Sequence, residues 1–238
     1  MEAITRDFFL FLSKSNLLNK FAQKQGGSFA AGKIIGGTDF HNSIRFIREL
    51  NKQGLSVTVD HLGEFVDSID VANERTVECI ETIKMISNEN LDSQVSVKMT
   101  SLGLDIDREL VVKNMTRILD TAEKYNIMVT IDMEDVSRCQ ATIDLFKQFK
   151  NKYRCVSTVL QAYLYRTEQD LKDLSSFQPF LRLVKGAYKE SSEVAFPEKK
   201  DVDENYKKLI KQSLLSGNYF AIASHDDTMI EYTKEIAK

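Results

Sequence analysis

A chain of 238 residues with 42% hydrophobic side chains has enough apolar material for a sizeable core and suits one large domain or two small ones. Its formal net charge of −3 argues against non-specific nucleic-acid binding, which needs a basic surface, so no nucleic-acid partner is expected. Cys79, Cys139 and Cys155 form no Cys-x-x-Cys pair, and the only imidazoles are His41, His61 and His225. That excludes a disulfide framework and a structural zinc site; the thiols read as buried and reduced, and no metal is expected.

The first 23 residues, "MEAITRDFFLFLSKSNLLNKFAQ", are not a signal peptide, because Glu2, Arg6 and Asp7 precede a short, interrupted apolar run. They read as an amphipathic helix whose Phe8, Phe9, Leu12, Leu17 and Phe21 form a docking face. The stretch "GGSFAAGKIIGG" (26–37) lacks the Gly-Lys-Ser/Thr of a phosphate loop and reads as a link. No window approaches the ~18 apolar residues of a membrane span. The expected organisation is a helical N-terminal segment and linker over 1–54, then a βα-repeat domain over 55–238.

From residue 55 onward, short β-branched runs alternate with amphipathic stretches. The runs are "LSVTVDHLG" (55–63), "QVSVKMTSLG" (94–103), "MVTIDME" (128–134), "CVSTVLQAY" (155–163), "FLRLVKGAY" (180–188) and "YFAIASHD" (219–226). Between them, 107–125 places Leu110, Val111, Ile118 and Leu119 on one helical face behind Asp107 as N-cap. In 138–150, Leu145, Phe146 and Phe149 recur at helical spacing, and 201–216 ends at Gly217, a helix stop. Repeated β-α units imply parallel strands joined by helical crossovers. Six units fit either an open sheet or a (β/α)8 barrel about two units short.

Parallel strands buried on both faces should carry few polar residues. Here Thr58 and Asp60, Ser96 and Lys98, and Thr130, Asp132 and Glu134 alternate with apolar neighbours near the same strand end. Gln161 and Tyr163, then Arg182, Lys185 and Tyr188, then Ser224, His225 and Asp226 mark the later strands. Ligands bind at strand C-termini in barrels and in open sheets, so this collection predicts a pocket. Arg182 and Lys185 are three apart, and a regular strand sends them to opposite faces. Both reach one ligand only if the strand breaks near Lys185–Gly186.

"TVDHLGE" (58–64), "SVKMTSLG" (96–103), "TIDMED" (130–135), "VLQAYL" (159–164), "LRLVKGAY" (181–188) and "ASHD" (223–226), in this order, resemble the proline dehydrogenases, the monofunctional bacterial type above all. The resemblance implies a distorted (β/α)8 TIM-barrel fold holding non-covalent FAD. It implies oxidation of L-proline to Δ1-pyrroline-5-carboxylate, with electrons passed to a membrane quinone. A cytoplasmic enzyme in peripheral contact with the inner face of the cell membrane follows from that acceptor. By position, Lys98 and Tyr188 match substrate-binding residues, Asp132 and Arg182 the catalytic pair, and Glu64 a gate that pairs with Arg182. Met133, Gln161, Arg182, Lys185, Gly186, Ala187, His225 and Asp226 match cofactor contacts.

The resemblance also implies two further strands and a final helix, which carries a tyrosine and two arginines that clamp proline. Nothing in this sequence corresponds to them, so these 238 residues alone are expected to be weakly active or inactive. Two rival readings remain at this stage. Lys98 or Lys185 could form a Schiff base, as in lysine-dependent aldolases, if burial lowered its pKa. Alternatively, an unclosed barrel with open edges would be an inactive, self-associating fragment.

Overall fold

The computed structural model describes residues 40–61, 63–217 and 219–238. The expected helix over 1–23 and the segment 26–37 lie outside the described residues. The described residues divide into two units after Leu55. In the first, helix α1 (Phe40–Lys52) stops where Gly54 takes φ +77°, and Asn51 Nδ2 donates to Leu55 O at 2.8 Å.

The second unit alternates strand and helix: β1 (Val57–Asp60), α2 (Ile69–Asn88), β2 (Ser93–Val97), a 3₁₀ turn (Thr100–Leu102), α3 (Arg108–Tyr125), β3 (Val129–Ile131), α4 (Val136–Lys150), β4 (Val156–Gln161), α5 (Thr167–Ser175), β5 (Leu181–Val184), α6 (Lys199–Ser216), β6 (Phe220–Ala223) and α7 (Asp227–Ile236). Among the described residues these strands pair in parallel throughout, in the order β1-β2-β3-β4-β5-β6. A doubly wound sheet reverses its order part-way. This one never does, so right-handed crossovers stack all the helices on one face. That winding is the wall of a (β/α)8 barrel, with six βα units among the described residues.

Local chemistry sets the elements. Asp107 caps α3 as expected, its carboxylate accepting Leu110 N–H at 3.2 Å. Val111, Met115, Ile118, Leu119 and Ala122 are buried, the i, i+4, i+7, i+8, i+11 stripe of a helix lying on a sheet. Leu145, Phe146 and Phe149 are buried in α4, and α6 ends at Gly217 with φ +68°. The three cysteines are buried free thiols.

Register decides which side chains face the barrel interior. Asp60 lies beside Ser96, Ser96 beside Thr130, Thr130 beside Ser157, and Val159 beside Arg182. Neighbours in register share a face, so this polar row points one way. Val95, Ile131, Leu160 and Leu183 point the other way and are almost wholly buried. The strands are shorter than the sequence runs, and the polar ends of those runs continue as loops above the sheet.

Candidate active site

Four charges form one row across the inward face. Lys98 Nζ donates to Asp60 Oδ2 at 2.7 Å and reaches Asp132 Oδ2 at 3.5 Å. Arg182 Nη1 donates to Asp132 Oδ1 at 2.9 Å, and Ser96 Oγ donates to the same oxygen at 2.6 Å. Two cations and two carboxylates, from the end of β1, just past the ends of β2 and β3, and from within β5, make a neutral, half-buried cluster. Burial pushes the Asp60 carboxyl above its ordinary pKa, against the pull of Lys98. Burial opposes the charge of Lys98 too, but the Asp60 hydrogen bond and both carboxylates outweigh it and raise its pKa.

β5 stops at Val184, and Gly186 breaks the extended path with φ +114°, where a break was expected. The break does not bring Arg182 and Lys185 to one partner. Lys185 turns to the helix side, where Asp203 of α6 lies at 2.5 Å and Asp226 at 2.6 Å. Lys199 shares both carboxylates, at 2.5 and 3.1 Å. Lys185 keeps the parity of a regular strand. The bare backbone of Gly186 also has a different neighbour from the one expected: a Cβ there would fall 2.1 Å from the ring of Tyr163. Glycine is required by that ring and by the positive φ.

Glu64 does not pair with Arg182. Its Oε2 accepts the Tyr188 hydroxyl at 2.9 Å, and Arg182 is engaged by Asp132. Burial, followed by the Glu64 contact, holds the Tyr188 phenol above its usual pKa. Met133 is buried; its carbonyl accepts Gln161 Nε2 at 3.2 Å, and Cys139 Sγ approaches its sulfur at 3.3 Å. Gln161 Oε1 is buried without a hydrogen-bond partner. Asp226 caps α7 through Thr228 N–H at 3.0 Å, while Ala187 and His225 are exposed.

Two residues join this region without having been given a role in it: Glu134, counted in the polar strand-end collection, and Thr100, which was not singled out. Glu134 is fully buried and accepts Thr100 N–H at 3.1 Å and the Thr100 hydroxyl in a short hydrogen bond. Thr100 in turn holds the backbone beside Glu64, its Oγ1 accepting Phe65 N–H at 3.0 Å. Glu134 extends the alternation of Thr130 and Asp132 in sequence, and that was the available signal. It misleads about direction, since β3 ends at Ile131.

The proline dehydrogenase family model matches residues 43–238. Proline dehydrogenase 2 of Bacillus subtilis strain 168 is 70% identical over 235 residues, covering 99% of this chain and 78% of the relative. Proline dehydrogenase of Deinococcus radiodurans is 35% identical over 209 residues, 86% of this chain and 67% of the relative. This chain belongs to the proline dehydrogenase family. The fold agrees: proline utilization A from Bdellovibrio bacteriovorus superposes with a TM-score of 0.82 at 22% identity, over 93% of this chain and 28% of that one. The counterpart from Corynebacterium freiburgense gives 0.72 over 81% and 23%.

As a proline dehydrogenase family enzyme, the chain has proline oxidation as its chemistry. The Schiff-base alternative fails on geometry as well as on family. A nucleophilic lysine needs a lowered pKa, whereas that of Lys98 is, against burial, raised by its Asp60 hydrogen bond and the two carboxylates; Lys185 points to the helix side, onto Asp203 and Asp226, away from the inward face.

Proposed function

We propose that the strand-end site removes a hydride from carbon and a proton from nitrogen of L-proline, giving Δ1-pyrroline-5-carboxylate, with FAD as the bound hydride acceptor. The observation that carries this reading is Lys98 and Arg182 fixed over one carboxylate, Asp132, on the inward face. A carboxylate substrate needs a fixed cation in a half-dry site. Lys98 has its looser tie on the Asp132 side, at 3.5 Å against 2.7 Å to Asp60. A substrate carboxylate can replace that weaker contact while Asp60 keeps the ammonium in place.

The residues present fit a flavin. Gln161 Oε1 is an inward, buried acceptor that lacks a donor, and the imide N–H of an isoalloxazine ring is such a donor. Of the expected cofactor contacts, Ala187 and His225 are exposed and would line it, whereas Lys185 and Asp226 bind each other on the helix side and the Tyr163 ring fills the space beside Gly186. Bound FAD would supply the two-electron acceptor. The guanidinium of Arg182 stabilises negative charge that develops beside it, and needs no reorganisation because Asp132 and, more loosely, the Ser96 hydroxyl already hold it. Tyr188, held protonated by burial and by its hydrogen bond to Glu64, would wall the substrate side.

Electrons would leave to a membrane quinone, with the enzyme cytoplasmic and peripheral at the inner face of the membrane. No described helix is long and apolar enough to cross a membrane. The test is purification followed by spectroscopy. The reading requires flavin absorbance that bleaches on adding proline and dye reduction that depends on proline. A colourless protein that takes up no added FAD and reduces no dye overturns it.

A further inference from the structure

We propose that Glu134 and Thr100 are positioning residues for Glu64, pegging the backbone of the β1–α2 connection that carries it. The inference rests on the site proposed above, in which Glu64 holds Tyr188. Glu134 is fully buried, and among the described residues no cation hydrogen-bonds to it. A carboxyl so placed is costly unless its hydrogen bonds are complete. Its donors are the Thr100 N–H and hydroxyl.

The direction of these bonds carries the argument. A threonine hydroxyl has one proton. Giving it to Glu134 turns the lone pairs of Oγ1 toward Phe65, whose N–H they accept at 3.0 Å. The Thr100 carbonyl accepts Val66 N–H at 3.4 Å. The carboxyl thus orients the hydroxyl, and the hydroxyl fixes the two residues that follow Glu64. Phe65 needs such fixing: its φ is +57°, a region bulky side chains avoid. A second anchor grips the same residue from outside. The Arg138 guanidinium lies 4.9 Å from the Phe65 ring centroid, and Asp105 holds that guanidinium with contacts of 2.6 to 3.0 Å. Glu64 itself is exposed, so its reach to Tyr188 depends on this strained, doubly anchored neighbour. Capping of the 3₁₀ turn explains the bond to Thr100 N–H but not the hydroxyl's hold on Phe65.

The experiment uses full-length enzyme carrying Thr100→Val, Thr100→Ser, Glu134→Ala, Glu134→Gln and Glu64→Ala. Amide exchange at residues 63–67 is read beside exchange in α3. Thr100→Val and Glu134→Ala should cut protection at Phe65 by about tenfold, the loss of one good hydrogen bond, with α3 unchanged. Thr100→Ser should keep it, whereas Glu134→Gln should lose part of it, because its NH2 end cannot accept either Thr100 donor. If Glu134→Ala fails to fold, Thr100→Val still decides. In proline turnover, Thr100→Val combined with Glu64→Ala should be no worse than Glu64→Ala alone, because both act through one group. Unchanged exchange at Phe65 in Thr100→Val, or additive losses in the double variant, overturns the proposal. An inert Glu64→Ala withdraws the role given to Glu64 above, while the exchange result still reads the peg.

Discussion

Two four-charge clusters sit at the strand ends, and each holds two cations and two carboxylates. The inner one joins Asp60, Lys98, Asp132 and Arg182. The outer one joins Lys185, Lys199, Asp203 and Asp226. Their formal charge is the same, but their surroundings differ. The inner cations are 19% and 18% exposed on side chains that point into the barrel; of the outer ones Lys185 is 23% exposed, and it is Lys199, on a helix, that is open to solvent at 68%. Inside, each unit of charge is poorly solvated and a partner is costly to lose. Outside, water and salt share the load. The inner cluster is therefore the one whose partners a charged ligand can exchange, and the outer one ties β5 to α6 and α7.

The largest expected effect comes from breaking the inner row. Arg182→Met leaves Asp132 without its charged partner at 2.9 Å and removes the cation held ready for developing negative charge. Proline turnover by the full-length enzyme should fall about 10²- to 10³-fold, the scale of losing one preorganised electrostatic donor. The matched outer change, Lys199→Met, should leave turnover within about twofold. Equal losses in the two variants would remove the distinction between the clusters.

A backbone change between the clusters comes next. Gly186→Ala puts a Cβ 2.1 Å from the Tyr163 ring at φ +114°. Strain and overpacking together should cost about 2–4 kcal/mol, which lowers the melting temperature by several degrees. Gly54→Ala is the control: its φ is +77°, but nothing lies within 4 Å of the added carbon, so it should cost about 1 kcal/mol. A melt that ranks the two the other way would show that the Tyr163 contact yields easily.

Much of this contrast was legible in sequence. Period-2 alternation of Thr58, Asp60, Ser96, Lys98, Thr130 and Asp132 against valine and isoleucine gives the inward row before any coordinates, because a pleated strand allows few other arrangements. The parity of Arg182 and Lys185 shows equally that a regular strand must separate them. What sequence could not supply is the partner of each cation once it leaves the sheet. Asp203 lies in the charged run "KKDVDENYKK", where several carboxylates compete and only the packing of α6 selects one. Glu134 looks like one more inward residue, and only the end of β3 at Ile131 turns it toward Thr100. Gly186 looks like a place for a ligand to approach, and it is the neighbouring Tyr163 ring that fills it.

The smallest effect separates the clusters by sign. Burial raises the Asp60 carboxyl. Its contribution to stability is therefore full below the unfolded value of about 3.9 and is lost as pH rises through the folded pKa. Burial also works to raise Asp203, but Lys185 and Lys199 outweigh it and lower its pKa; the same lysines lower Asp226. Their contribution is present above about 3.9 and is lost as pH falls through the folded values. At pH 7, Asp203→Asn should cost about 1 kcal/mol or less, a fall of about 2–4 °C that shrinks in high salt. Between pH 7 and about pH 3.5, the gap between wild type and Asp203→Asn should narrow, while wild type gains stability relative to Asp60→Asn. Thermal melts across that range check both slopes. If the two variants move in the same direction with pH, burial is not what distinguishes the inner carboxylate from the outer pair.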